Sequence, residues 1–181
     1  GHPQVLADAS NPWGATWGQD GTIVYCPRDT QGLWRVSATG GAPEKIASPQ
    51  REQGEFDLNW PEFLPDGKAV LFLSQRSTHT GRFNQLFTVP LEGGFPEKLV
   101  IPNAYQSAYS PDGSMMAYTP FREVFREWKN YRGGTMSTLW IFSFEDYSRS
   151  EIPKPEGGCN DIVPMWIGDL IYFLSDRNGE F

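Results

Sequence analysis

"PEFLPDGKAVLF", residues 61–72, is the stretch that decides the fold. An aromatic residue, Phe63, closes a short extended segment, and Pro65-Asp66-Gly67 follows as a turn whose glycine supplies the positive φ that a tight hairpin needs. A β-rich apolar run comes next, so the stretch encodes a hairpin. Two further stretches repeat the layout: "ATWGQDGTIVY" at residues 15–25 and "SAYSPDGSMMAY" at residues 107–118. Their Asp-Gly pairs begin at Asp20, Asp66 and Asp112, 46 residues apart each time. A fourth copy, "VPMWIGDLIYFLS" at residues 163–175, keeps the aromatic residue and the strand but shortens the turn to Gly168-Asp169.

Each hairpin is followed by a variable loop and a third strand, "LWRVSA" (33–38), "QLFTVPL" (85–91) or "TLWIFSF" (138–144), whose alternate residues suit opposite sheet faces. The near-identical phrases "GGAPEKI" and "GGFPEKL", ending at Ile46 and Leu99, then turn the chain into a fourth strand; "EDYSRSEI" (145–152) takes that place in the third unit. Four-stranded units repeating every 40–50 residues are propeller blades. A solenoid fits less well, because each unit carries three tight antiparallel turns. The expectation is therefore an all-β β-propeller of four-stranded antiparallel blades, about 3.5–4 per chain. The blades lie at approximately 10–48, 56–100, 104–153 and 160–181, preceded by a strand at 3–7, "PQVLA".

Composition agrees: 15 Pro, 19 Gly and 14% aromatic residues favour turns and pleated surfaces over a helical bundle. The net charge of −7 sets the average field against a nucleic-acid partner. No apolar run approaches the roughly 20 residues of a membrane-spanning helix, and "GHPQVLADAS" lacks the layout of a signal peptide. Neither a membrane partner nor a particular compartment is expected from these features. Cys26 and Cys159 show no metal-ligand spacing and read as buried free thiols, with a disulfide or a reactive thiol as the alternative.

Enzyme chemistry is not expected. The imidazoles are confined to His2 and His79, no GxSxG occurs, and the glycine pairs follow no phosphate-binding pattern. "DRNGE" (176–180) faintly resembles a calcium loop but lacks the ligand set, so neither a metal nor a cofactor is expected. Trp17, Trp60 and Trp166 occupy strand positions expected to pack between blades. The third unit is 11 residues longer than its neighbours, through "PFREVFREWKNYRGG" at 120–134, the one basic cluster of an acidic chain. Arg122, Arg126, Trp128, Lys129 and Arg132 are the candidate binding residues, as a lip that meets acidic groups or a peptide carboxylate. The alternative is a plug that packs Phe125 and Trp128 on its own blade.

The Asp-Gly turn, the apolar strand and the GG-x-P-E-K corner together resemble the repeat of TolB-type propellers. From about residue 75 onward, "RFNQLFTVPLEGGFPEKL", "AYSPDGSMMAYTPF", "WKNYRGGTMSTLWIF" and "PMWIGDLIYFLSDRNGEF" resemble the N-terminal propeller of tricorn-like peptidases. Residues 3–73, with "GATWGQDGTIVYCPRDTQGLWRVSATGGAPEKI", are similar to propeller repeats appended to bacterial serine/threonine kinases, which suggests a mosaic, natural or engineered, joined near residues 74–80. The tricorn resemblance implies a propeller that guides peptides, with the serine-protease machinery held in other domains.

Too few blades are present to close a ring. The expected function is thus a non-catalytic scaffold or binding module that self-associates, two copies forming a closed homodimer in which the N-terminal strand of one completes the last blade of the other. A fragment that aggregates is the other outcome. The alternative function is a peptide-guiding propeller domain of a tricorn-like serine peptidase, separated from its catalytic domains.

Overall fold

A computed structural model describes residues 4–28, 31–76, 78, 84–122 and 132–179. The chain divides into two compact units, residues 1–100 and 101–181. No described helix is long and apolar enough to cross a membrane.

The first unit holds two antiparallel four-stranded sheets, each in sequential strand order. One comprises β1 (Ala15–Trp17), β2 (Thr22–Tyr25), β3 (Leu33–Ser37) and β4 (Glu44–Ala47). The other comprises β5 (Asn59–Phe63), β6 (Ala69–Ser74), β7 (Gln85–Pro90) and β8 (Glu97–Lys98). The second unit carries a four-stranded sheet of β9 (Ser107–Tyr109), β10 (Met115–Tyr118), β11 (Trp140–Ser143) and β12 (Arg149–Glu151), and a hairpin of β13 (Asp161–Ile167) and β14 (Leu170–Ser175). These strands fall where the repeat places them, so the all-β propeller architecture holds.

Four of the turns are braced by an aspartate of their own. Asp20, Asp66, Asp112 and Asp146 accept the amide N–H two residues on, at 2.8–3.1 Å. The Ser110 hydroxyl, followed by the Ser114 amide and hydroxyl, holds the Asp112 carboxyl down to about 2; the Ser143 hydroxyl, with Ser148, does the same to Asp146. The repeated GG phrase has a packing role as well: a side chain on Gly93, at φ +83°, would sit 3.3 Å from the Ile46 carbonyl, so the corner of the second sheet lies directly on β4.

One core joins the two sheets of the first unit. Val24, Cys26, Leu33, Ile46 and Ala47 meet Leu58, Val70, Phe72, Phe87, Val89 and Leu91. Burying such side chains contributes about 1.5–3 kcal/mol for each large one. Arg35 ties the rim by donating to the Leu91 carbonyl at 2.8 Å while pairing with Glu44 and Glu92. Both cysteines are buried and unbridged, as expected.

Three expectations need correction. Residues 4–7 form no strand; Gln4–Ala7 and Ala9 share a cleft with Ile23, Tyr25 and Val36, on the side of the first sheet away from the second. Pro3 lies outside the described residues. Trp17 does not pack between blades: it pairs with Ile23 on that same outer side and is 67% exposed, while Phe63 from β5 presses against Gly18 instead. Trp60 is also exposed, because β5 bulges there. Trp60 takes φ +54°, Pro61 is the buried residue, and the indole turns out to meet Trp13 edge-on at 6.3 Å. Val163-Pro164 repeats this bulge in β13 with φ +52°, whereas Trp166 is half-buried.

Candidate binding site at the base of the basic insertion

The insertion leaves β10 at Tyr118 and returns to β11 at Trp140. Arg126, Trp128 and Lys129 lie outside the described residues, as do His2 and His79. Arg122 is exposed and makes no ion pair among the described residues. Arg132 is committed: its Nη1 donates to Asp176 Oδ2 at 2.6 Å. The structure thus separates the two ends of the cluster, one guanidinium presented to solvent and the other used as an anchor.

The anchor is built from the second unit's own loops. Asp176 is only 4% exposed and also accepts the Asn160 backbone N–H at 2.7 Å and its side-chain amide at 2.9 Å. Asn160 in turn accepts the Ser137 N–H at 3.1 Å, and Lys154 donates to the Ser137 carbonyl and the Thr138 hydroxyl. Burial works against the Asp176 carboxylate, but the Asn160 donors and Arg132 outweigh it and hold its pKa below the ordinary value. The adjacent Asp161, fully buried, receives Arg177 at 3.2 Å through both oxygens and the Cys159 thiol at 3.4 Å. Burial first, and Asp161 second, push that thiol up, which leaves it a poor nucleophile. Of the stretch read as a turn at 176–180, the described residues 176–179 are closed by the Gly179 N–H donating to the Asp176 carbonyl. Its carboxylate faces Arg132 and Asn160.

The first unit contains a counterpart. Glu55, fully buried, accepts the Ser74 hydroxyl, the Gln50 N–H at 2.8 Å and Arg76 Nη2 at 2.7 Å, and the Arg76 guanidinium lies 4.8 Å over the Phe87 ring. Sequence reasoning missed both clusters, although "FLSQR" (72–76) and "FLSDR" (173–177) repeat the same serine and arginine at the ends of β6 and β14. Both clusters are charge-compensated and internally satisfied at their carboxylates. Their chemistry is that of supports, which hold loops in place for whatever the exposed residues meet.

A family model described as the tricorn protease N-terminal beta propeller domain matches residues 28–181. The match runs across residues 74–80, so the proposed junction between two sources gains no support from it. Tricorn protease homolog 1 of Streptomyces coelicolor is 30% identical over 163 residues, which cover 84% of this chain and 15% of that protein. The chain therefore spans a small part of the relative's length. Among solved structures, a TolB-assigned protein of Agrobacterium tumefaciens superposes with a TM-score of 0.67 at 20% identity, covering 93% of this chain and 55% of that one. A puromycin-hydrolyzing peptidase of Mycobacterium tuberculosis gives 0.64 at 18% identity, covering 97% and 29%. At those identities the likeness is one of fold.

Proposed function

Because the chain belongs to the tricorn protease N-terminal beta propeller family, we propose that it is a non-catalytic, peptide-handling module of a tricorn-type peptidase, with the basic insertion as its contact surface. The observation that carries this reading is the asymmetry of the insertion. It lies inside the family match, it concentrates Arg122, Arg126, Lys129 and Arg132 in a chain of net charge −7, and its far end is fastened by the Arg132–Asp176 pair. A fastened base limits the entropy lost when the exposed Arg122 engages a ligand. Guanidinium groups match carboxylates in shape and charge, so the peptide's C-terminal carboxylate and acidic side chains are the favoured contacts.

Fluorescence anisotropy with a pool of short labelled peptides tests the reading. Peptides with free C-termini bind more tightly than their C-terminally amidated forms, and Arg122→Ala weakens binding roughly 5- to 30-fold, the loss of one charge-assisted contact of 1–2 kcal/mol. Equal binding of the two peptide forms, or an unchanged affinity in Arg122→Ala, refutes it.

A further inference from the structure

The strained backbone at Trp60 does not serve burial. A bulky residue at φ +54° is an outlier, and such conformations cluster at functional sites. Here the bend turns the indole outward, 52% exposed. The residue 46 positions earlier is Gly14, which takes φ +101° with no side chain to strain. Glycine would therefore suit the bulge in β5 as well, and the tryptophan is kept there at a cost to the fold. β5 belongs to the second sheet, which has sheets before and after it in the chain, so Trp60 is not on the flank of a terminal sheet. Its setting is rigid. The Trp60 N–H donates to the Trp13 carbonyl at 2.8 Å, and the indole lies over Gly14, where a Cβ would stand 3.1 Å from its Cε3. Trp13, 38% exposed, meets it at 6.3 Å with the ring planes 78° apart, so the two indoles make a fixed corner that solvent reaches. Asn59, the polar neighbour, donates its amide to Asp57 and keeps its carbonyl oxygen buried, so what the corner offers is mainly ring surface.

We propose that the corner between Trp13 and Trp60 is a subsite for an aromatic side chain of a bound peptide. The proposal rests on the peptide-handling reading above and adds to it a preference that the basic insertion does not supply. A planar ring stacked on one indole presents its edge to the face of the other, and these are the two arrangements that aromatic pairs favour. Both walls are already held by the backbone, so little freedom is lost when the ring enters.

Fluorescence anisotropy of short labelled peptides that differ only in one central residue, Phe or Ala, reads the subsite in the full chain. Both peptides are C-terminally amidated, which takes the carboxylate contact out of the comparison. The Phe peptide is expected to bind about 5- to 10-fold more tightly, the scale of one aromatic pair with part of its burial. Trp60→Gly brings it down to the affinity of the Ala peptide, while the urea midpoint stays within about 0.5 M of the parent's. Trp13→Leu, which leaves the bulge in place, also abolishes the preference, and Arg122→Ala leaves it unchanged. Equal affinities for the two peptides, or a Phe preference that survives in Trp60→Gly or Trp13→Leu, overturns the subsite. So does a larger fall in the Trp60→Gly midpoint, because the indole would then be supporting the fold. A Phe preference among peptides that gain nothing from a free C-terminus keeps the subsite and removes the insertion as a contact surface. The converse removes the subsite alone, and no binding by either form overturns both.

Discussion

Glu55 and Arg76 offer the most direct measurement of what a buried charge costs in this fold. Glu55 is fully buried, the Arg76 side chain is 8% exposed, and they meet at 2.7 Å. Glu55→Gln keeps the shape and removes the charge. Arg76 then loses its counter-charge and keeps a neutral amide oxygen and the Phe87 ring as partners, the ring being worth about 1–2 kcal/mol in a desolvated site. Losing one member of a buried pair costs about 3–5 kcal/mol, because the survivor is left uncompensated. With the ring offsetting part of that, Glu55→Gln is expected to cost about 3 kcal/mol, a large share of a typical domain's stability. In urea this lowers the midpoint by roughly 1–2 M. The combined Glu55→Leu/Arg76→Met replacement removes both charges at similar volume and recovers most of the loss, and a cycle completed with the single Glu55→Leu and Arg76→Met variants shows a coupling of about 2–3 kcal/mol. Unfolding followed by tryptophan fluorescence at fixed protein concentration supplies all the terms. A Glu55→Gln cost below about 1 kcal/mol, or a charge-free variant no more stable than Glu55→Gln, would refute the reasoning.

Two other carboxylate environments make opposite predictions for pH. Burial pushes Glu62 up to about 7 from an ordinary 4.5, so unfolding releases a proton there and stability falls as pH rises from about 4.5 to 7. The loss amounts to at most about 3 kcal/mol, and Glu62→Gln removes it: melting temperatures of the two proteins should match near pH 4.5 and diverge by pH 8, and parallel curves would contradict the assignment. Asp112 and Asp146, held near 2 by their turn donors, stabilise above the ordinary carboxylate range, and that contribution is lost as pH falls through 4 towards 2. Carboxyl NMR titrations of the two groups should show midpoints near 2; midpoints near 4 would mean that the turn bonds do not persist in solution.

The hairpins were legible because their signal is local. An aromatic, an Asp-Gly pair and an apolar run, 46 residues apart, fixed where the strands begin and end, and the GG phrase marked its corner correctly. Facing was harder to read. Trp17 with its strand partner Ile23, like Phe63 with Val70, looks to the side of its sheet away from the next one along the chain; for β5 that side meets the first sheet, whereas among the described residues no sheet lies on that side of β1. Trp60 looked like a strand interior, and only the left-handed bulge before Pro61 turns it outward. The ion pairs were least visible: Arg132 and Asp176 are 44 residues apart, and Arg76 and Glu55 are 21. Opposite charges at such separations have no preferred spacing to betray them, except through the repeated "FLSQR" and "FLSDR". Of the five proposed contact residues, the sequence treated Arg122 and Arg132 alike, and the coordinates divide their labour.

Asp20, Asp66, Asp112 and Asp146 reach only two residues along the chain, so those four bends supply their own bracing. Such a segment can be duplicated in a gene without losing its shape, because no neighbour has to supply the groups that fold it back. Links such as Arg35 to the Leu91 carbonyl cannot be inherited in that way and have to be acquired after each copying event. The likeness among the first three units is accordingly plain at the Asp-Gly bends, whose bracing each copy carries within itself.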